Sequence, residues 1–162
     1  MDIKLKIGDV ILVPGHNWVS RTIKKLTHSK YSHAACYIGN NQIIESAAGG
    51  VQISPLSKYP KWIALRHKYA TRKQLKNAVA WMKLQEGSGY DYFGLLGIGL
   101  GMLLHSKGNV WDSKKRYWCS ELVADGYLMA NINIDVNMKT WKVSPQQFYA
   151  MKNLFEEVKN GK

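Results

Sequence analysis

Tyr31-Ser32-His33-Ala34-Ala35-Cys36-Tyr37-Ile38-Gly39-Asn40-Asn41-Gln42-Ile43-Ile44-Glu45-Ser46-Ala47 is the stretch on which the fold turns. Two β-compatible runs, His33 to Ile38 and Gln42 to Ala47, flank Gly39-Asn40-Asn41, residues that tolerate positive φ. That pattern predicts a β-hairpin closed by a type I′ turn. Pairing symmetrical about Asn40 sets His33 near Ala47 and Glu45 near Ala35, so His33 and Glu45 are diagonal neighbours on one face, within reach of a hydrogen bond. Each needs such a partner, because an imidazole opening a buried strand and a carboxylate in mid-strand are both costly to desolvate alone. The plainer alternatives are a satisfied structural histidine and a solvated edge carboxylate. Cys36 has the opposite strand parity from His33 and is expected in the core.

Working outward, Val10 to Val13 lies between Gly8-Asp9 and Pro14-Gly15 and reads as a buried strand central to a small sheet. Val51 to Ile53 and Trp62 to Arg66 are further strands, separated by Pro55 and Pro60. Leu75, Val79 and Met82 recur at helical spacing between Thr71, an N-cap, and Gly87, a stop. Cys119 to Ala130 scans as a second helix, Ser144-Pro145 starts another, and Asn17 to Thr27 predicts an amphipathic one. The sum is α+β: a short antiparallel sheet or barrel with helices packed beside it, in one domain spanning residues 1–162.

The composition fits a packed domain: 162 residues, 46% apolar, with six Trp and nine Tyr, carry too many large apolar side chains for a disordered chain. Lys and Arg number 23 against 11 Asp and Glu, a formal charge of +12, which favours anionic partners such as phospholipid or an anionic cell-wall polymer. The bases are dispersed, including Lys58 and Lys114-Lys115-Arg116, so they read mostly as solvated surface and no specific nucleic-acid contact is predicted. The residues from Met1 to Lys4 lack the apolar core of a signal peptide, and Phe93 to Leu104 is too short to span a bilayer, so the expected compartment is the cytoplasm. A phage-encoded or membrane-peripheral role is compatible with these features. Cysteine and histidine spacing fits no zinc site, and no cofactor is expected.

Cys119 begins its helix, where unpaired backbone N–H groups and the helix dipole favour a thiolate; the plainer reading is a small buried hydrophobe. Activation needs an imidazole held by a third polar group, which His33 and Glu45 supply. His16, His28, His67 and His105 lie in polar or turn-rich surroundings and are expected on the surface.

Gly8-Asp9-Val10-Ile11-Leu12, the Tyr31 to Gly39 strand and Ile43-Ile44-Glu45-Ser46-Ala47 together resemble the catalytic half of the NlpC-type papain-like cell-wall peptidases. In the common members the nucleophile precedes this block. Here the match falls on Tyr117-Trp118-Cys119-Ser120-Glu121-Leu122-Val123, downstream of it, so the chain resembles the circularly permuted, YiiX-like branch. Tyr31-Ser32-His33 and Gly89-Tyr90-Asp91-Tyr92 extend the resemblance, which covers Gly8 to about Phe148. It implies a papain-like fold with Cys119 as nucleophile, His33 as base and Glu45 as the orienting residue. Tyr31 and Tyr90 are candidates to line the substrate cleft, with aromatic core packing as the alternative for both. The wider family also holds acyltransferases and phospholipases. The implied substrate is therefore a peptide or muropeptide amide, with a lipid ester as the alternative and a non-catalytic protein that binds an anionic lipid or nucleic acid as the rival from another class. Oligomeric state has no signature in the sequence.

Overall fold

The computed structural model describes residues 4–14, 30–90, 116–134 and 139–161. Six antiparallel strands form the main sheet: β1 Val10–Val13, β2 His33–Gly39, β3 Gln42–Ala47, β4 Gly50–Pro55, β5 Trp62–His67 and β8 Phe155–Gly161. Their order across the sheet is β4-β3-β2-β1-β5-β8, so β1 is central as its fully buried Val-Ile-Leu-Val run requires. A second, two-residue parallel pair joins β6 Gly89–Tyr90 to β7 Arg116–Tyr117. Both short strands, and the 3-10 turns at Leu56–Lys58 and Thr140–Lys142, fall below what sequence periodicity resolves.

The β2–β3 hairpin forms as its residues dictate. Asn40 and Asn41 take φ of 51° and 55°, both in the left-handed region, which is the type I′ turn that matches strand twist. Cys36 pairs Ile44 and Tyr37 pairs Ile43; continuing that register sets Ala35 opposite Glu45.

One face of the sheet carries Val10, Leu12, Ala34, Cys36, Ile44 and Leu65 and is covered by two helices, α1 Arg72–Leu84 and α2 Cys119–Met129. Thr71 caps α1 by accepting from the Gln74 N–H at 3.2 Å, while the Gln74 side chain accepts from the Thr71 N–H at 3.0 Å. α1 buries Leu75, Ala78, Val79 and Met82, and α2 buries Leu122, Val123, Ala124 and Tyr127. The other face holds Ile11, Val13, Ala35, Tyr37, Ile43 and Ala64 under Leu56, Tyr59 and Trp62. A short helix, α3 Pro145–Ala150, is capped by Ser144, which accepts from the Gln147 N–H at 3.2 Å. Gly8 lets α1 approach β1: its φ is +90°, and a Cβ there would stand 2.7 Å from the Leu75 Cβ.

Asp9, one residue before β1, is fully buried. Its carboxylate accepts from Arg66 Nε at 2.9 Å, Arg66 Nη2 at 2.7 Å and the Lys6 N–H at 2.7 Å, a bidentate pair that ties the start of β1 to β5.

Two expectations need correction. His67 is not on the surface: it ends β5 at 5% exposure, among Tyr69, Tyr127 and Phe155. The chain folds back after β5 so that the N–H groups of Tyr69 and Ala70 and the Asn133 carbonyl satisfy the ring. Lys58, read as solvated surface, instead binds a buried carboxylate. The helix expected at 17–27, the apolar segment 93–104, the basic run 114–115 and His16, His28 and His105 lie outside the described residues.

Candidate active site

Three elements bring the site together. β2 supplies His33 at its first residue, β3 supplies Glu45 in mid-strand, and α2 supplies Cys119 as its first helical residue after the N-cap Trp118. In β2 the Tyr37 N–H donates to the Asp9 carbonyl on the β1 side at 2.8 Å, so by alternation the N–H of Ala34 turns toward β3. The β2–β3 ladder, however, runs only from Gly39/Gln42 to Cys36/Ile44. Beyond it the strands part, and the chain leading into α2 enters: Ser46 Oγ donates to the Tyr117 carbonyl at 2.5 Å, and the Ala34 N–H serves the Cys119 sulfur. His33 and Glu45 share the parity of Ala35 and Ile43, opposite to the helical face. The imidazole and the thiol therefore meet at the strand end, where the sheet is open.

Glu45 is completely buried, which excludes the solvated edge carboxylate. Its Oε2 accepts from His33 Nε2 at 2.7 Å and from the Tyr59 hydroxyl at 2.5 Å, and its Oε1 accepts from Lys58 Nζ at 2.6 Å. Burial alone would raise its pKa, yet His33, Lys58 and Tyr59 together hold it far below the usual carboxylate range. The same contact fixes the imidazole: with Nε2 bound to Glu45, Nδ1 is the nitrogen that faces Cys119.

Burial disfavours a charged His33, but a hydrogen bond and a charge from Cys119, with the same two from Glu45, push it up to about 9. Cys119, 4% exposed, moves the other way. Burial would raise the thiol, and His33 together with the Ala34 and Ser120 N–H groups lowers it. Opposed shifts in contacting partners describe a thiolate–imidazolium pair, whose ionisation belongs to both groups. Ser120, next in the helix, is buried and donates to the Val143 carbonyl at 2.6 Å, which locks the first turn of α2.

The remaining candidates are less central. Tyr31 is partly buried against the helical core, its ring 5.1 Å from that of Tyr149, and burial raises its hydroxyl pKa to about 12. That contact gives it a packing role. Tyr90 pairs with Tyr117 through the backbone of β6 and β7, which sets it near the entry to α2. Cys36 is fully buried, and burial pushes its thiol far above the ordinary range. Lys58 and Tyr59 are the residues that sequence reading missed. Lys58 ends the 3-10 turn and Tyr59 follows it, 13 and 14 positions from Glu45, and neither helical nor strand periodicity links residues across such a connection. The one usable signal was the demand of a buried carboxylate for more donors than a single histidine provides.

A six-stranded antiparallel sheet with a cysteine-bearing helix laid on it, in the order histidine, carboxylate, cysteine, defines a papain-like fold in permuted form. Residues 4–156 match the family model described as permuted papain-like amidase enzyme, YaeF/YiiX, C92 family, and the chain belongs to that family. It is 25% identical over 176 aligned positions to the probable lipoprotein peptidase YaeF of Escherichia coli strain K12. That alignment covers 91% of this chain, and the chain spans 64% of the relative's length. The crystal structure of the metalloprotein yiiX from Escherichia coli O157:H7 superposes with a TM-score of 0.71 at 21% identity, covering 95% of this chain and 96% of that one. Among the described residues, no group of three or more His, Cys, Asp or Glu side chains is arranged to hold a metal ion. None of the helices among them is long and apolar enough to cross a membrane.

Proposed function

We propose that the chain is a single-domain cysteine hydrolase that cleaves an amide bond in a peptide or cell-wall-derived peptide, with Cys119 as nucleophile, His33 as acid and base, and Glu45 as the residue that orients the histidine. The observation that carries this reading is the continuous contact from thiol to imidazole to buried carboxylate, built at a helix N-terminus. The thiolate attacks the substrate carbonyl carbon, and the carbonyl electron pair moves to oxygen, which the Cys119 N–H helps to stabilise. Collapse breaks the C–N bond while Nδ1–H of the imidazolium gives its proton to the departing amine. Neutral His33 then takes a proton from water, whose oxygen attacks the thioester; the acid product leaves and the thiolate–imidazolium pair is restored. Glu45 stays ionised throughout and keeps the ring in one orientation.

The family's amidase description favours amides over lipid esters. Wild type and Cys119→Ala are incubated with a panel of muropeptides, simple peptides and phospholipids and analysed by mass spectrometry. Cysteine-dependent amide cleavage is the expected result. Turnover of phospholipid esters alone would overturn the substrate class, and equal product from Cys119→Ala would overturn the nucleophile.

A further inference from the structure

Glu45 holds three side-chain donors, and a triad accounts for only one of them. From the remaining two we infer that Lys58 and Tyr59 are positioning residues that act through Glu45 on the ionisation and orientation of the His33 imidazole. The inference rests on the proposed pairing of Cys119 with His33. Its physical content is specific. Tyr59 donates to Oε2, the same oxygen that receives His33 Nε2, so the hydroxyl and the imidazole share one acceptor. The Tyr59 ring also lies 5.4 Å from the imidazole, tilted by 37°, so one side chain contacts the histidine through its ring and reaches its carboxylate through its hydroxyl. Lys58 takes the other oxygen at 2.6 Å and stands with its ammonium 5.5 Å from the Tyr59 ring centre.

Without these two donors the carboxylate would offer its full charge and basicity to the imidazole. His33 would then keep its proton too firmly to pass it to a leaving amine. Lys58, with a side chain 39% exposed, is the one cation on Glu45 other than the histidine itself among the described residues. Among the described residues, the titratable and charged groups around the imidazole, taken element by element, are Cys119 from α2, Glu45 from β3, and Lys58 and Tyr59 from the connection between β4 and β5. Removing the ammonium makes the surroundings more negative, so both the thiol and the imidazolium must hold their protons to higher pH.

The test is the pH dependence of Cys119 alkylation by iodoacetamide, followed alongside thiolate ultraviolet absorbance, each referenced to a Cys119→Ser counterpart. Wild type should show an early step as the ion pair forms and a later one as His33 loses its proton. Lys58→Met should move both steps upward by roughly half a pH unit. Lys58→Arg, which keeps a cation on Oε1, should return them to the wild-type positions. Tyr59→Phe, which keeps the ring and deletes the hydroxyl, should move the later step upward by less. A purely structural Lys58 would lower thermal stability and leave both steps where they were, and that result, or a downward movement, overturns the inference. A wild-type Cys119 that titrates in one step like an ordinary thiol would overturn the ion pair itself and this inference with it.

Discussion

His33, partly buried, and His67, buried, both stand at strand ends, and both engage Nε2 with an oxygen at 2.7 Å. At His33 that oxygen is a carboxylate, and Nδ1 faces a thiol. At His67 it is the Asn133 carbonyl, while Nδ1 accepts from the Tyr69 N–H at 3.2 Å and the Ala70 N–H at 3.0 Å. The second ring nitrogen decides the chemistry. Two amide donors on Nδ1 leave His67 no site for a second proton, so it is held as the neutral Nε2–H tautomer; burial lowers its pKa, against the Asn133 carbonyl, which works to raise it. The thiol and carboxylate at His33 reverse that direction against burial and raise it. One histidine has only backbone partners; the other has the thiol and the carboxylate that proton exchange requires.

The largest effect should come from removing the feature that distinguishes the two. Glu45→Gln keeps the side-chain shape but withdraws the negative charge from His33. Turnover of the cleaved amide should fall by about 10²-fold or more. The alkaline limb of its pH profile should move to lower pH, opposite to the movement expected for Lys58→Met. Steady-state kinetics across pH will check both, and an unaltered rate in the folded variant would remove Glu45 from the mechanism.

A smaller, purely structural effect is expected at the second histidine. His67→Leu takes the ring partner from two part-buried N–H groups and one carbonyl, costing about 1 kcal/mol of stability, with the two-step alkylation of Cys119 preserved. The pH dependence separates the pair further. The lowered His67 pKa contributes stability that is complete above the ordinary histidine value near 6.5 and is lost as pH falls through its folded pKa. The raised His33 pKa works in the opposite sense: its contribution is complete below about 6.5 and disappears as pH rises through about 9. Denaturant titrations of wild type and His67→Leu across this range should show a weaker loss at acid pH in the variant and the same loss at alkaline pH.

The same contrast explains what could be read from the sequence. The hairpin was legible because Asn40-Asn41 and the two flanking runs obey short-range rules, and the parity those rules set put His33 and Glu45 on one face, where they meet at 2.7 Å. β1, α1 and the start of α2 were legible for similar reasons, since each has its own period and its own punctuation. β8 was not. It has only two large apolar residues, Phe155 and Val158, one on each face of the sheet, among polar neighbours, so no apolar period marks either face. His67 was misread because its partners are backbone groups, and backbone donors leave no trace in side-chain composition. Lys58 and Tyr59 stayed hidden because a turn that ends beside Glu45 does so by tertiary packing, with no sequence spacing to announce it. The apolar body of Glu45's strand was visible; the donors that make its charge tolerable were not.

We propose Cys119 as an ionised thiol paired with His33, and Cys36 as an inert core residue. Native protein treated briefly with iodoacetamide at about pH 6, well below the ordinary thiol range, then digested and mapped, tests it directly. Modification is expected at Cys119 alone, lost in His33→Ala and absent from Cys36 until the protein is unfolded. Equal labelling of the two cysteines, or a Cys119 that reacts only near the pH of a free thiol, would contradict it.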